Sequence, residues 1–129
     1  MDNQKKKKKK IIIIDDDSFI LTSIQKQLNK ENFDIKLIND PLTGLKKLEK
    51  EKYSLVICDI RMKPLTGLEL LKIIKSNYPK TPVIIITGFI DDGIMEKAKK
   101  IGYDDYLIKP FRKKRLTESI NKILNKNYT

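Results

Sequence analysis

The sequence contains no histidine and no tryptophan, and it has a single cysteine, Cys58. Without histidine the chain has no Ser–His–Asp triad, no Cys–His pair and no histidine-based zinc site, and it carries no phosphohistidine of its own. One cysteine forms no internal disulfide, which favours a reducing compartment. The 129 residues match one ordinary domain, and we expect no second effector domain within them.

Long hydrophobic runs are also missing. The longest apolar runs have four residues, far below the roughly 20 that span a bilayer. A positive start followed by an apolar stretch is typical of secretory signals, but residues 11–14 are shorter than the apolar region of about 7–15 residues that a signal needs. Asp15, Asp16 and Asp17 follow this stretch at once. We therefore expect a soluble, cytoplasmic protein with no membrane partner.

The charge is strongly positive and unevenly distributed. The formal net charge is +11, and the lysine run from Lys5 to Lys10 supplies six of the 28 basic residues. A basic chain raises the possibility of an anionic partner. We predict that residues 1–9 are a basic, low-complexity lead-in and that residues 10–129 form a single domain.

Five short segments are predicted to be strands. Residues 11–14, 55–58 and 83–86 are continuous, apolar and rich in β-branched residues, which is typical of parallel strands buried on both faces. Residues 34–38 largely alternate, with Ile35 and Leu37 on one face, and residues 106–108 are short. These two segments are predicted edge strands.

Apolar residues at helical spacing follow each predicted strand. In the second helix, Asp40 before Pro41 predicts an N-cap and a first helical residue, and Leu42, Leu45 and Leu48 form the stripe. Gly102 is the predicted C-cap of the fourth helix. The other stripes are Ile20, Leu21, Ile24 and Leu28; Leu68, Leu71 and Ile74; Ile94, Ala98 and Ile101; and Leu116, Ile120, Ile123 and Leu124. This alternation predicts a doubly wound (βα)₅ α/β fold with a five-stranded parallel sheet and helices on both faces.

Polar residues directly follow four of the predicted strands. Asp15 and Asp16 follow the first strand, Asp59 the third, Thr87 the fourth and Lys109 the fifth. Parallel strands end at one edge of the sheet, where ligands bind. Crowded carboxylates favour a hard divalent cation such as Mg²⁺. An ammonium and a hydroxyl beside that cation suit a phosphoryl group, and one carboxylate could act as its nucleophile.

A plainer interpretation exists for each of these residues taken singly. An aspartate after a strand is commonly a loop residue or a helix N-cap, and Asp17 could cap the first helix. The combination of aspartates, a threonine and a lysine at four strand ends is a far more specific signal than any one of these residues alone. The glycine signatures of phosphate-binding and dinucleotide-binding loops are absent from the sequence.

The sequence resembles the response-regulator receiver domain of bacterial two-component signalling, of the stand-alone chemotaxis type. The resemblance covers roughly residues 10–124. It rests on five motifs: Ile-Ile-Ile-Asp15-Asp16-Asp17, Cys58-Asp59-Ile-Arg61-Met62, Gly67, Ile-Ile-Thr87-Gly88, and Tyr106-Leu-Ile-Lys109-Pro110-Phe111. It implies a flavodoxin-like strand order of 2-1-3-4-5.

The resemblance also implies a role for each matching residue. Asp59 would accept the phosphoryl group, with Thr87 and Lys109 binding it and Tyr106 turning inward as Thr87 moves. Asp15, Asp16, Asp59 and the backbone carbonyl of Arg61 would hold Mg²⁺ or Mn²⁺. The Lys109–Pro110 peptide bond is typically cis in the family. On general grounds, a tyrosine such as Tyr106 could instead be ordinary packing.

The implied function is signalling through protein contacts. A sensor histidine kinase or histidine phosphotransfer protein would donate the phosphoryl group, and the face formed by the fourth helix, fifth strand and fifth helix would then change for an unknown downstream protein. The domain would catalyse only its own phosphorylation and dephosphorylation, as a monomer or a phosphorylation-dependent dimer. The alternatives are a pseudo-receiver that takes no phosphate and a nucleic-acid binder using the lysine run.

Three features depart from the family pattern. Lys63 stands where the family often has proline, and Pro64 comes one residue later. Residues 112–115 are all basic at the start of the fifth helix, which indicates either an ordinary solvated surface or an acidic partner. Arg61 and Phe89 would lie beside the phosphoryl group, and we predict that their bulk prolongs the phosphate's lifetime.

Overall fold

Strands and helices alternate along the whole described chain. The computed structural model describes residues 8–88 and 92–126. In chain order the elements are β1 (Lys9–Ile14), α1 (Ser18–Leu28), β2 (Phe33–Ile38), α2 (Pro41–Lys50), β3 (Leu55–Asp59), α3 (Gly67–Asn77), β4 (Val83–Thr87), α4 (Asp92–Ile101), β5 (Asp105–Ile108) and α5 (Lys113–Lys126). The predicted (βα)₅ alternation is confirmed.

The five strands form one parallel sheet in the order β2-β1-β3-β4-β5. The chain therefore reverses its direction of winding between β1 and β3, the crevice in which open α/β sheets bind ligands. Ile14 of β1 pairs with Cys58 of β3, so the residues that follow them emerge side by side. The predicted strand order and the predicted edge strands β2 and β5 are both confirmed.

The sheet separates two hydrophobic cores. Ile11 and Ile13 face one core with α1 and α5, whereas Ile12 and Ile14 face the other with α2, α3 and α4. Successive side chains of a strand point to opposite faces, so a run of four isoleucines supplies both cores equally. Burying each isoleucine contributes roughly 1.5–3 kcal/mol of hydrophobic free energy.

Side-chain caps and a left-handed glycine define several helix ends. Asp17 and Asp40 accept hydrogen bonds from backbone N–H groups at the starts of α1 and α2. Thr66 and Glu69 form a reciprocal capping box at the start of α3. Gly102 ends α4 with a φ of 106°, a conformation in which glycine avoids the steric penalty of a side chain. The predicted caps Asp40 and Gly102 are thus confirmed.

The predicted packing stripe of α2 is partly wrong. Leu42 is 46% exposed, and the buried residues of α2 are Pro41, Gly44 and Leu48. A Cβ atom on Gly44 would lie 2.6 Å from Cδ1 of Ile14. The glycine therefore lets α2 approach β1 closely, and the helix packs through this face with Leu42 turned outward.

The start of β1 also differs from the prediction. The strand begins at Lys9, so Lys9 and Lys10 belong to the sheet and the proposed boundary at residue 10 lies inside a strand. Lys10 pairs with Glu51 at 3.2 Å. Residues 5–7 of the lysine run lie outside the described residues, and the extent of the lead-in stays a prediction.

Candidate functional site

The reversal point of the sheet brings Asp15 and Asp59 together. Asp15 directly follows β1 and Asp59 ends β3, in neighbouring strands whose preceding residues are paired. Backbone bonds fix both segments, from the Asp15 amide to the Ile38 carbonyl and from the Ile60 amide to the Ile86 carbonyl. The sheet register therefore determines the distance between the two carboxylates.

Asp15 is completely buried. Its Oδ1 accepts a hydrogen bond from the Asp17 amide at 2.9 Å. Its Oδ2 forms an ion pair with the Lys109 ammonium at 3.0 Å. Among the described residues, this atom has no other polar partner. Burial, reinforced by the nearby charge of Asp59, raises the pKa of Asp15 to about 6, against the lowering effects of the Asp17 amide and Lys109. The site thus holds a carboxylate that is costly to keep charged without a cation.

Asp59 lies at the rim of the same pocket and is 6% exposed. Its Oδ1 accepts a hydrogen bond from the Arg61 amide at 3.2 Å, and its Oδ2 lies 3.5 Å from Lys109 Nζ. One oxygen is thereby oriented by the backbone, while the other points toward the shared ammonium. This carboxylate combines a fixed orientation with access from solvent.

The backbone of Asp59 is positioned by the start of α3. The Gly67 amide donates to the Ile60 carbonyl at 3.0 Å. A Cβ atom on Gly67 would overlap the backbone carbonyl of Asp59 and the Cα atom of Ile60. Only glycine therefore lets α3 begin this close to the end of β3.

Lys109 links the carboxylates to the fourth strand. Its ammonium lies between Asp15 and Asp59, and its amide donates to the Thr87 carbonyl at 2.7 Å. Burial lowers the pKa of Lys109, but the two carboxylates outweigh burial and the net effect is to raise it. The lysine is therefore a firmly charged cation at the centre of an acidic site.

Asp16 completes the predicted acidic cluster. Asp16 is exposed, and one carboxylate oxygen each from Asp15, Asp16 and Asp59 lie within 4.8 Å of one another. Three convergent oxygen donors of like charge are the ligand type that Mg²⁺ prefers. The complete burial of Asp15, whose Oδ2 pairs only with the Lys109 ammonium among the described residues, is a second sign that these residues fit a divalent cation.

Thr87 and Tyr106 occupy the two strands on the other side of Asp59. Thr87 ends β4 and is buried, and Tyr106 lies in β5, half-buried and edge-to-face with Tyr103 at a centroid distance of 5.8 Å. Ile86 pairs with Asp59 in the sheet, which sets Thr87 one residue beyond that pairing. The structure thus places a hydroxyl near the site and an aromatic ring on the adjacent strand.

The remaining predicted residues fall partly outside the described chain. Arg61 contributes its amide to Asp59, as given above, and its side chain is exposed; the metal-ligand role of its carbonyl stays a prediction. Phe89 lies outside the described residues. The Lys109–Pro110 peptide bond is cis, and so is the Lys63–Pro64 bond.

A polar network behind Tyr106 is not predicted by the sequence patterns. Arg115 of α5 donates to both Asp105 oxygens at 3.1 Å and to the Tyr106 carbonyl at 2.9 Å. Buried Ser119 also donates a hydrogen bond to Asp105. The spacing of four between Arg115 and Ser119 puts both on one face of the helix, but their common partner lies in another element and left no signal in the sequence.

A cavity near the amino ends of β1 and β3 lies away from this site. It measures about 640 Å³ at the opposite edge of the sheet, and its lining includes Lys9, Tyr53 and Lys80 but none of the candidate site residues.

No helix within the described residues is both long and apolar enough to cross a membrane.

Comparison with known proteins agrees with this geometry. The model of the response regulator receiver domain family matches residues 11–121. The chain belongs to this family, whose members act in two-component signalling. Family members generally bind Mg²⁺ in an acidic pocket and carry a phosphoaspartate, and the present chain has the acidic cluster in the expected place.

Curated relatives are longer than this chain. The transcriptional regulatory protein ZraR of Klebsiella oxytoca is 40% identical over 100 residues, which are 76% of this chain and 23% of ZraR. The transcriptional regulatory protein FixJ of Bradyrhizobium diazoefficiens is 36% identical over 98 residues, 76% of this chain and 48% of FixJ. The chain therefore spans about a quarter of the length of ZraR and about half of the length of FixJ.

Solved structures match over almost their whole length. A CheY-like receiver domain protein from Methanospirillum hungatei superposes with a TM-score of 0.89 at 30% identity, covering 93% of this chain and 96% of the other. A receiver domain protein from Clostridium thermocellum gives 0.86 at 32% identity, covering 93% and 97%. These matches confirm the receiver fold.

Proposed function

We propose that the chain accepts a phosphoryl group on Asp59 from a phosphohistidine of another protein, with Mg²⁺ or Mn²⁺ bound beside it. The observation that carries this proposal is the position of Lys109, whose ammonium lies within 3.5 Å of carboxylate oxygens of both Asp15 and Asp59. This arrangement provides a nucleophile and a cation for the incoming phosphoryl oxygens in one pocket.

Asp59 fits the acceptor role better than its neighbours. Asp15 has no solvent-accessible surface, and the Asp17 amide occupies its Oδ1. Asp16 is exposed, and among the described residues it forms no ion pair with Lys109. Asp59 alone of the three combines access to solvent, backbone orientation and contact with the ammonium.

The residues present fit a divalent cation. Asp15, Asp16 and Asp59 would hold it, and the family resemblance adds the carbonyl of Arg61. When bound, the cation would neutralise charge on the phosphoryl oxygens and on the crowded carboxylates. Asp15, with its pKa raised mainly by burial, would gain most from that compensation.

The proposed transfer balances without any further reactant. A carboxylate oxygen of Asp59 attacks phosphorus, the P–N bond of the donor phosphohistidine breaks, and its electron pair returns to the imidazole nitrogen. Lys109 offsets the charge of the phosphoryl oxygens. Hydrolysis later releases inorganic phosphate and restores the carboxylate, so the domain catalyses only its own modification. The absence of histidine from this chain is consistent with a receiving role.

The proposed output is a change of the face formed by α4, β5 and α5. The phosphoryl group would draw the Thr87 hydroxyl toward Asp59, and Tyr106 would turn into the space beside it. The bond between the Lys109 amide and the Thr87 carbonyl connects β4 to the end of β5, which supports coupled movement. A downstream protein would distinguish the two states by their different surfaces.

Intact-mass measurement after treatment with acetyl phosphate and Mg²⁺ tests the proposal. The wild-type chain should gain one phosphoryl group, and Asp59→Asn should gain none. Asp34→Asn, a substitution on β2 away from the site, is the matched control and should behave as the wild type. Absence of a gain in the wild type, together with no spectral response to beryllofluoride, would favour a pseudo-receiver.

A further inference from the structure

The cavity at the amino ends of the strands has no part in the proposed phosphorylation. Its volume is about 640 Å³, within the range of about 300–1,000 Å³ that is typical of small-molecule sites. Its wall comes from the start of β1, the end of α2, and the loops that lead into β3 and β4. We call it the amino-end cavity.

Backbone hydrogen bonds hold the walls of the amino-end cavity together. The Ser54 amide donates to the Lys10 carbonyl at 2.8 Å, and the Val56 amide donates to the Pro82 carbonyl at 3.0 Å. These bonds join three segments that are distant in the sequence. The cavity is therefore formed before any ligand binds, as ligand sites usually are.

One lining residue, Tyr53, carries an unsatisfied polar group. The residue is 7% exposed, and its hydroxyl has no hydrogen-bond partner within the described part of the chain. Leaving a buried hydroxyl unpaired costs free energy, so an unpaired one calls for an explanation. Burial, with the charges of Glu51 and Asp34, raises the pKa of Tyr53. The hydroxyl therefore stays protonated and remains available as a donor.

Lysines outnumber carboxylates in the lining. Four lysines face two glutamates, and Glu51 is already paired with Lys10 at 3.2 Å. Lys50 lies in the last turn of α2, where the helix dipole favours a cation. Lys52 and Lys80 lie outside the helices, and neither has an ion-pair partner in residues 8–88 and 92–126. Their charge is thus left for an anion from outside the chain.

We propose that the amino-end cavity binds a nucleotide, with its phosphates against Lys52 and Lys80 and its base beside Tyr53. The Tyr53 hydroxyl would donate to a neutral acceptor atom of the base. A phosphate is disfavoured at that hydroxyl because Glu51 and Asp34 act on it electrostatically. The hydroxyl is buried in the free chain, so the base gains this bond by displacing flexible side chains around it.

The remaining lining favours a nucleotide over a simple anion. Tyr78 and Pro82 line the cavity and are half-buried, and a heteroaromatic base can pack against such groups. Inorganic polyphosphate would use the lysines and leave these surfaces uncovered. A nucleic-acid strand needs an extended groove, whereas the volume of this cavity suits one nucleotide.

This inference goes beyond the proposed phosphorylation and does not rest on it. The amino-end cavity lies at the opposite edge of the sheet from Asp59, and none of the candidate site residues lines it. Nucleotide binding and phosphoryl transfer can therefore be measured separately.

Isothermal titration calorimetry with ATP and GTP, in the absence of Mg²⁺, tests the inference. Inorganic tripolyphosphate lacks the base, and adenosine and guanosine lack the phosphates. The charge variant is Lys52→Glu with Lys80→Glu. Its matched control is Lys26→Glu with Lys72→Glu, which makes the same change in net charge at exposed lysines of α1 and α3. Tyr53→Phe removes the hydroxyl alone.

We expect ATP or GTP to bind about tenfold or more tightly than tripolyphosphate and than its own nucleoside. Binding should weaken about tenfold or more in the charge variant and stay near wild type in the control. Tyr53→Phe should weaken nucleotide binding and leave tripolyphosphate binding unchanged. It should not lower the free energy of unfolding, because the hydroxyl forms no hydrogen bond within the described chain.

Several results would overturn the inference. These are no binding of either nucleotide up to about 1 mM, tripolyphosphate binding as tight as nucleotide binding, and equal weakening in the charge variant and its control. Unchanged nucleotide binding in Tyr53→Phe would contradict the placement of the base. Tighter binding of a single-stranded oligonucleotide would replace the nucleotide site with a nucleic-acid surface.

Intact mass after treatment with acetyl phosphate and Mg²⁺ keeps the two proposals apart. The charge variant should gain one phosphoryl group as the wild type does. Normal phosphorylation without nucleotide binding would remove the nucleotide site and leave the receiver role. Nucleotide binding without phosphorylation would support the cavity and count against Asp59 as acceptor.

Discussion

The ammonium of Lys109 lies 3.0 Å from Oδ2 of Asp15, and this ion pair joins the end of β5 to the end of β1 across the sheet. Lys109 also reaches Asp59 at 3.5 Å. In the free chain the lysine therefore compensates two carboxylates that would otherwise repel each other. An incoming phosphoryl group would find this cation already in position.

Replacing this lysine should weaken both folding and phosphorylation. Lys109→Met leaves Asp15 and Asp59 without their shared cation. We expect the free energy of unfolding without Mg²⁺ to fall by about 1–3 kcal/mol, the range for leaving a buried polar group unsatisfied. Urea unfolding at neutral pH measures the change. The exposed-lysine variant Lys72→Met is the control, and an equal loss there would contradict the role of Lys109.

Mg²⁺ should stabilise the wild-type chain through the acidic cluster. At ten times its dissociation constant, a ligand that binds only the folded state adds about 1.4 kcal/mol. We expect this gain to disappear in Asp15→Asn and in Asp59→Asn, because each removes a carboxylate from the cluster. Thermal unfolding followed by circular dichroism provides the measurement. Asp34→Asn should retain the gain, and a gain retained in all variants would place the cation elsewhere.

The glycine at the start of α3 should be irreplaceable. Gly67→Ala forces a methyl group into the backbone of Asp59 and Ile60, where no side-chain rotation can relieve the overlap. We expect a loss of about 3 kcal/mol or more, at the upper end of point substitutions. Gly88→Ala is the control, since no described atom lies within 4 Å of the added group. Equal stability of the two variants would contradict the close approach of α3 to β3.

The hydrogen bonds from Arg115 and Ser119 to Asp105 should make the free energy of unfolding depend on pH. Burial raises the pKa of Asp105, but hydrogen bonds from Arg115 and Ser119 outweigh burial, and the pKa falls below its ordinary value of 3.8. A carboxyl group with a lowered folded-state pKa stabilises the protein above its unfolded pKa, and this contribution disappears as the pH falls through the folded pKa.

Asp105→Asn should therefore be less stable than the wild type at pH 7. The difference should shrink as the pH falls below about 4, where the wild-type carboxyl begins to protonate in the unfolded chain. Ser119→Ala should lose about 1–3 kcal/mol at pH 7, because its buried hydroxyl donates to a charged acceptor. Urea unfolding at several pH values measures both, and a pH-independent difference would contradict this account of Asp105.

The lifetime of the phosphate should depend on Arg61 and Phe89. Their bulk beside the phosphoryl group is predicted to exclude water, so Arg61→Asn and Phe89→Glu should each accelerate hydrolysis. Loss of the phosphoryl group after removal of acetyl phosphate, followed by intact mass over time, measures the rate. Unchanged lifetimes in both variants would show that the predicted shielding is wrong.

The structure could be predicted from the sequence wherever a local pattern of residues is compatible with only one arrangement of strands and helices. Four consecutive isoleucines require cover on both faces, and the structure supplies it with two cores. The polar residues after the strands could be placed together because parallel strands end at a common edge. The acidic cluster of Asp15, Asp16 and Asp59 follows from that rule.

Contacts between elements that are distant in the sequence could not be predicted from local patterns of residues. The spacing of Leu42, Leu45 and Leu48 matches a helix, but it does not reveal that Gly44 brings α2 against Ile14 and turns Leu42 to solvent. Arg115 likewise could be placed in a basic stretch, whereas its pairing with Asp105 depends on how α5 packs beside β5.

Chemical trapping of the phosphorylated residue tests the central claim most directly. Borohydride reduces an aspartyl phosphate to homoserine, and peptide mass spectrometry then locates the changed residue after treatment with acetyl phosphate and Mg²⁺. We predict reduction at Asp59 alone, and none in Lys109→Met under conditions that modify the wild type fully. Reduction at Asp15 or Asp16, or at no residue, would contradict the assignment of Asp59 as the phosphoryl acceptor.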